Sequence, residues 1–236
     1  IADRQIVLLT SPQLQTARTA YALGQPVAQW LIYVVLLLFV VAMLAGNDGR
    51  DVYLHHAGSV ALASIGDAAA LEALSTHASR PVRTAAVVAL RRMGHAGVVR
   101  FLDDADESIV TDAARAINDD GSIAGAVPAL AALLGRTPFK NEPLLRRAIN
   151  ANLRVGSSEA AARLSAFASD VSRPEALRVE AIAALGVWLG PSPLDRVDGF
   201  YLTGLDLASP GSNGQGGGRD GAAARAALQG LVEAMA

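Results

Sequence analysis

The feature that most constrains this chain is a helical stripe that recurs along it, seen most plainly from Val82 to Gly94 (VRTAAVVALRRMG). Val82, Ala85, Ala86, Ala89, Leu90 and Met93 fall at i, i+3, i+4, i+7, i+8 and i+11, which places them on one apolar face of a helix. Gly94 supplies the stop, because glycine takes the left-handed cap without a Cβ clash. Looser copies run Thr16 to Gly24, His55 to Gly66, Val110 to Asp119, Leu144 to Gly156 and Leu177 to Gly190. Their centres, near Leu23, Leu62, Leu90, Ile117, Asn152 and Leu185, lie 27 to 39 residues apart. That is the period of a two-helix repeat, in which each unit buries its apolar face only against its neighbours.

Second helices fit between the copies at Ala68 to Ser75, Ala124 to Leu134 and Ser158 to Ala168. Polar breaks separate the units at Ser79-Arg80-Pro81, Asp103-Asp104-Ala105-Asp106-Glu107, Asn141-Glu142-Pro143 and Ser172-Arg173-Pro174. Proline blocks continuation of the helix before it, while acidic and hydroxyl residues cap the helix after it. The expected fold is all-α, an α-solenoid of HEAT-type helical repeats with one very hydrophobic helix near the N-terminus. Composition agrees: 52% of residues are apolar but only 5% aromatic, which is alanine and leucine material for close helix packing rather than for strands. The expected organisation is residues 1–46 as a first repeat holding the hydrophobic helix, 47–190 as the solenoid, 191–221 as connector and Gly-rich loop, and 222–236 as a terminal helix. Ile1 in place of methionine reads as a processed or partial chain, and the last helix reads as the start of another repeat.

The hydrophobic helix is the oddest segment. No charged residue occurs from Thr19 to Asn47, and Val27 to Gly46 is a 20-residue stretch apolar on every side apart from Gln29. A bilayer core of about 30 Å needs roughly 20 such residues, and Trp30 and Tyr33 suit an interface belt at one end. Repeat register gives another account, in which Gln25-Pro26 is a turn and the stretch is the second helix of the first repeat. On that account the helix packs against protein, either its own next repeat or a partner subunit, and this is the expectation. If it spans a membrane, Arg4 and Arg18 before it and Asp48, Arg50 and Asp51 after it favour an N-terminus in the cytoplasm. Ile6 to Thr10 and Ser11-Pro12 read as the end of one helix and the start of another, and nothing here reads as a cleavable signal peptide.

A net charge of -2 from 20 basic and 22 acidic residues gives no general attraction to phosphate backbones, so nucleic acid is not implied. Absence of cysteine excludes a disulfide framework, a thiolate metal site and covalent haem attachment within this segment. His55-His56 is the only histidine pair, but adjacent helical positions point about 100° apart and no second ligand follows at i+4. His77 and His95 are isolated. Asp104-x-Asp106-x-Ser108 begins like a calcium loop, yet Ile109 stands where the loop needs glycine, so Asp103, Asp104, Asp106 and Glu107 read as helix caps. Gly216-x-Gly218-x-x-Gly221 matches a dinucleotide fingerprint without a βαβ unit around it and reads as a glycine-rich linker. Arg91-Arg92 and Arg146-Arg147 read as solvated positions on exposed helix faces. No catalytic, cofactor-binding or metal residue is therefore assigned, and no cofactor is expected.

Asn47 to Gly66, Val99 to Asp104, Ala113 to Asp119, Glu142 to Asn152 and Glu175 to Trp188 with Asp195-Arg196-Val197 together resemble one HEAT-repeat region. It is that of large bacterial secreted proteins joining a quinoprotein-like sugar (sorbosone or glucose) dehydrogenase propeller, HEAT repeats and a c-type cytochrome module. The resemblance covers residues 47–200. It implies a periplasmic or extracytoplasmic setting, an electron-transfer context and a scaffold role; membrane anchoring would come from the apolar run instead, since Leu31 to Val41 is not a feature of that family. With neither propeller nor C-x-x-C-H present, any dehydrogenase or haem function belongs to other parts or other chains. The leading expectation is thus a non-catalytic scaffold whose partners are protein subunits of a larger complex, with membrane contact through Val27 to Gly46. The alternatives are an accessory segment of a larger quinoprotein/cytochrome oxidoreductase and a small-molecule enzyme on a HEAT fold.

Overall fold

A computed structural model of the chain describes residues 12–119, 123–136, 139–202 and 221–235. Among these residues the architecture is all-helical; the only extended pairing is an isolated antiparallel bridge between Leu194 and Tyr201.

Helix α1, Pro12–Asn47, is a single helix of 36 residues with Pro26 inside it. The turn expected at Gln25-Pro26 does not form, nor does a separate first helix ending at Gly24. The reason lies in what a break would need. Between Ala20 and Gly46 there is no Ser, Thr, Asn or Asp to cap a helix end. A break there would leave up to four donors and four acceptors unsatisfied, whereas continuing through Pro26 forfeits the one hydrogen bond to the Ala22 carbonyl. At 1.5 Å per residue the helix is about 54 Å long.

Only the last third of α1 touches the rest of the chain. Val40 and Leu44 are buried, and Leu37, Val41, Met43 and Ala45 are partly buried against the core. Leu37, Val40, Val41 and Leu44 follow i, i+3, i+4, i+7, so one face docks on α2, Val52–Ile65, and on α4, Arg80–Arg92.

The body begins with α2, whose first turn is capped by Asp51 accepting from the backbone N–H of Tyr53 and Leu54. It ends at Gly66 in the left-handed conformation (φ 75°), the stop the sequence placed there. Next come α3, Ala68–Ala73, a 3-10 turn at Leu74–Thr76, and α4, with Pro81 in its first turn. All of the α4 stripe from Val82 to Leu90 is buried, together with Val87. A 3-10 stretch at Ala96–Asp103 follows and leads into α5, Glu107–Asn118. The second helix expected at Ala124 to Leu134 is a short α6, Val127–Ala132, between 3-10 turns at Ala124–Ala126 and Leu133–Gly135. The remaining elements are α7, Glu142–Val155, α8, Ser158–Ser169, α9, Glu175–Gly186, and α10, Gly221–Met235.

Contacts run in series. α2 packs on α4, α4 on α5, α5 on α7 and α7 on α9, while α6 packs on α7, α8 on α7 and α9, and α10 on α8 and α9. One apolar cluster extends through them from Val40 to Leu231. Alanines at 85, 86, 89, 113, 114, 116, 148 and 151 are essentially inaccessible, which is how short helices with few large side chains come close enough to exclude water.

Candidate interaction surface and polar clamp

Upstream of its docked end, α1 stands clear of the body. Every described side chain from Leu14 to Leu36 is exposed, and the window of α1 apolar enough to cross a membrane is 11% buried. The bare positions include Val27, Trp30, Leu31, Ile32, Tyr33, Val34, Val35 and Leu36, and Leu38 and Phe39 continue the strip past the docking face. A soluble protein does not normally leave so many contiguous apolar side chains to water, and such a patch marks a partner or a lipid surface. Packing of this helix against protein is seen within the chain for Leu37, Val40, Val41, Met43, Leu44 and Ala45, and Leu14 to Leu36 make no buried contact with the body. Upstream of the docked end, one groove of the body faces the helix. Trp30, Tyr33, Val34 and Leu37 face Ser64 to Ala68 across an open groove of about 530 Å³ that includes Asp67, the N-cap of α3. Trp30 and Tyr33 meet edge to face, ring centres 6.4 Å apart.

A second feature is buried. Asp195, in the connector after α9, is 4% exposed and accepts hydrogen bonds from Asn150 Nδ2 at 2.6 Å, Asn118 Nδ2 at 3.5 Å and the Val197 N–H at 2.8 Å. Arg154 Nη1 lies 4.0 Å from its carboxylate and donates to the Asn118 carbonyl at 3.3 Å. Asn118 closes α5, and Asn150 and Arg154 sit one turn apart on α7, so the connector is pinned over both helices. A buried ion pair needs this kind of surrounding hydrogen bonding to offset desolvation. No local motif announces the cluster, because its members lie 45 and 77 residues from Asp195.

Two more ion pairs join successive units. Arg83 on α4 holds Asp104 through Nε at 2.7 Å and Nη2 at 3.3 Å, and Arg147 on α7 holds Asp119 through Nε at 2.8 Å and Nη2 at 2.7 Å. Arg147 is therefore not the solvated side chain that its place in the sequence suggests; its side chain is 11% exposed. Arg146 is more open and pairs with Glu142 and Glu180.

The other candidates are brought together nowhere. His55 Nε2 lies 3.1 Å from the Pro81 carbonyl, His77 and His95 accept the backbone N–H of Ser79 and Gly97, and His56 faces solvent. Among the described residues no three His, Cys, Asp or Glu side chains converge as metal ligands would. The acidic run is dispersed into structure. Asp104 pairs with Arg83, Asp106 caps α5 through the Ser108 N–H, and Glu107 accepts the N–H groups of Lys140 and Asn141 that lead into α7. Hydrogen bonds from Ser108 hold the Asp106 carboxyl below the ordinary carboxylate range, whereas burial pushes that of Asp112 up against the opposing pull of Arg115. Gly216 and Gly218 of the dinucleotide-like run lie outside the described residues, as do Ile6 to Ser11.

No protein-family model, curated protein or solved structure matches this chain.

Proposed function

We propose that this chain is a membrane-tethered, non-catalytic helical scaffold: α2 to α9 form a HEAT-type solenoid that presents a surface to protein subunits of a larger complex, and α1 is its anchor. The solenoid reading is supported by stripes recurring at 27 to 39 residues and by the serial contacts of α2, α4, α5, α7 and α9. The anchor reading rests on one observation, the charge-free stretch of α1 that stands clear of the body with its apolar side chains bare. Arg4 and Arg18 before the helix, against Arg50 between Asp48 and Asp51 after it, support an N-terminus in the cytoplasm and a solenoid on the extracytoplasmic side. The resemblance over residues 47–200 supplies the context, an extracytoplasmic electron-transfer assembly.

The test is extraction. The full chain is expected to stay in the membrane pellet through an alkaline carbonate wash and to need detergent for release. Recovery in the carbonate supernatant overturns the anchor. A second reading, an accessory segment of a quinoprotein/cytochrome oxidoreductase, predicts that the native gene product carries haem; a haem-free intact product removes it.

A further inference from the structure

We infer that the bilayer grips α1 from Thr19 to Leu36, half of the 36-residue helix, and that Leu37 to Ala45 stand outside the hydrocarbon as a stalk belonging to the helical body. This rests on the anchor reading above and goes beyond it by fixing which residues meet lipid.

Hydropathy alone would choose Val27 to Gly46. The docking contacts oppose that choice. Leu44 is fully buried against α2, its Cδ2 placed 2.7 Å from where a Cβ on Gly58 would sit, so this end of α1 is fitted into a notch made by the missing side chain. If Val27 to Gly46 filled the hydrocarbon with that contact intact, its midpoint would lie between Leu36 and Leu37. Leu37 shares its groove with Asp67, so a carboxylate would come near the bilayer centre, followed by the rest of α3 and α4. A carboxylate is strongly disfavoured at that depth, and the basic residues of α4 would add to the cost.

The alternative register avoids this. Thr19 to Leu36 is 18 residues without a charge, about 27 Å at the helical rise, within the range that spans a bilayer. All of its side chains are exposed, and only Trp30, Tyr33 and Val34, near its C-terminal end, line the groove with Ser64 to Ala68, so lipid displaces no buried protein contact. Arg18 lies just beyond one end, and docking to the body begins just beyond the other, at Leu37. What the register must accommodate is Gln25 and Gln29, uncharged amides, with Gly24 and Pro26, residues that transmembrane helices carry more often than soluble ones. The body then sits directly on the headgroups, with the groove between Tyr33 and Asp67 at the lipid boundary.

The chain has no cysteine, so single cysteines report cleanly. Leu23→Cys, Leu31→Cys, Phe39→Cys and Ala42→Cys all lie at exposed positions of α1 and leave the core untouched. Each is placed in the full chain in membrane vesicles, with a membrane-impermeant maleimide supplied to both sides. The expected result is labelling at 39 and 42 and loss of labelling at 23 and 31 until detergent is added. Labelling at 23 with protection at 39 and 42 overturns the proposal in favour of the hydropathy register, and protection at 42 alone overturns it as well. Labelling at 31 without detergent shows instead that the anchor reading itself is wrong, since that position is embedded in either register.

Discussion

Arg147 grips Asp119 with two parallel hydrogen bonds, Nε to Oδ1 at 2.8 Å and Nη2 to Oδ2 at 2.7 Å, and so ties the middle of α7 to the C-cap of α5. The pair is mostly shielded from water, with side-chain exposures of 11% and 16%, and screening by solvent is correspondingly weak. Arg147→Ala is expected to lower stability by about 1.5–3 kcal/mol, read by urea unfolding. Arg147→Lys should recover little of this, because an ammonium cannot make the forked contact.

The fit of Leu44 into the Gly58 notch predicts coupling between the two positions. Gly58→Ala alone should cost about 1–3 kcal/mol by crowding Leu44, and Leu44→Ala about 2–5 kcal/mol by leaving a cavity. The added methyl at 58 fills part of that cavity. In the Leu44→Ala background the Gly58 substitution should therefore cost much less, and additive losses in a double-mutant cycle would count against direct contact.

Asp195→Ala removes the carboxylate partner of Arg154, a guanidinium with 2% side-chain exposure, and is expected to cost about 3–5 kcal/mol. Replacing both residues with apolar ones of similar size, Asp195→Leu with Arg154→Met, should restore most of the loss. Limited proteolysis gives a second readout: cleavage in 191–202 should accelerate in Asp195→Ala.

Acid unfolding carries two opposed contributions. Asp106 titrates below its ordinary range in the folded chain because Ser108 donates to its carboxylate. Its stabilisation is complete above the unfolded pKa and is lost as pH falls through the lower folded value. Asp112 is raised by burial, so its charge destabilises the fold at neutral pH, and that penalty fades as pH falls through the raised folded value. Asp112→Asn should thus stabilise at pH 7 and progressively less in acid, whereas Asp106→Asn should destabilise at pH 7 and flatten the acid limb of a stability-against-pH curve.

What could be read in advance was whatever sits within one helix. The stripes of α4, α5 and α7, the prolines opening α4 and α7, and the glycine stops at Gly66, Gly94 and Gly156 are local, and all three glycines have positive φ. The 3-10 stretch at Ala96–Asp103 is too short to show a period in the sequence. Continuity of α1 is masked in the sequence, because Gly24 and Pro26 are ordinary breakers and the lack of any capping residue nearby is a weaker signal than their presence. The Arg147 pair and the Asp195 clamp depend on residues 28 to 77 positions apart, a distance over which no sequence period reports.

The Asp195 clamp has a consequence for how the body comes apart. A row of units that touch only their neighbours loses structure from its ends, one unit at a time, and its melting broadens accordingly. Here a single carboxylate closes a loop of 77 residues back to Asn118 and one of 45 to Asn150. Closing loops of that length slows folding, since chain entropy is given up before the contact forms. Once it is closed, α5 and α7 are expected to loosen only together with the connector, so these three segments should melt as one cooperative block.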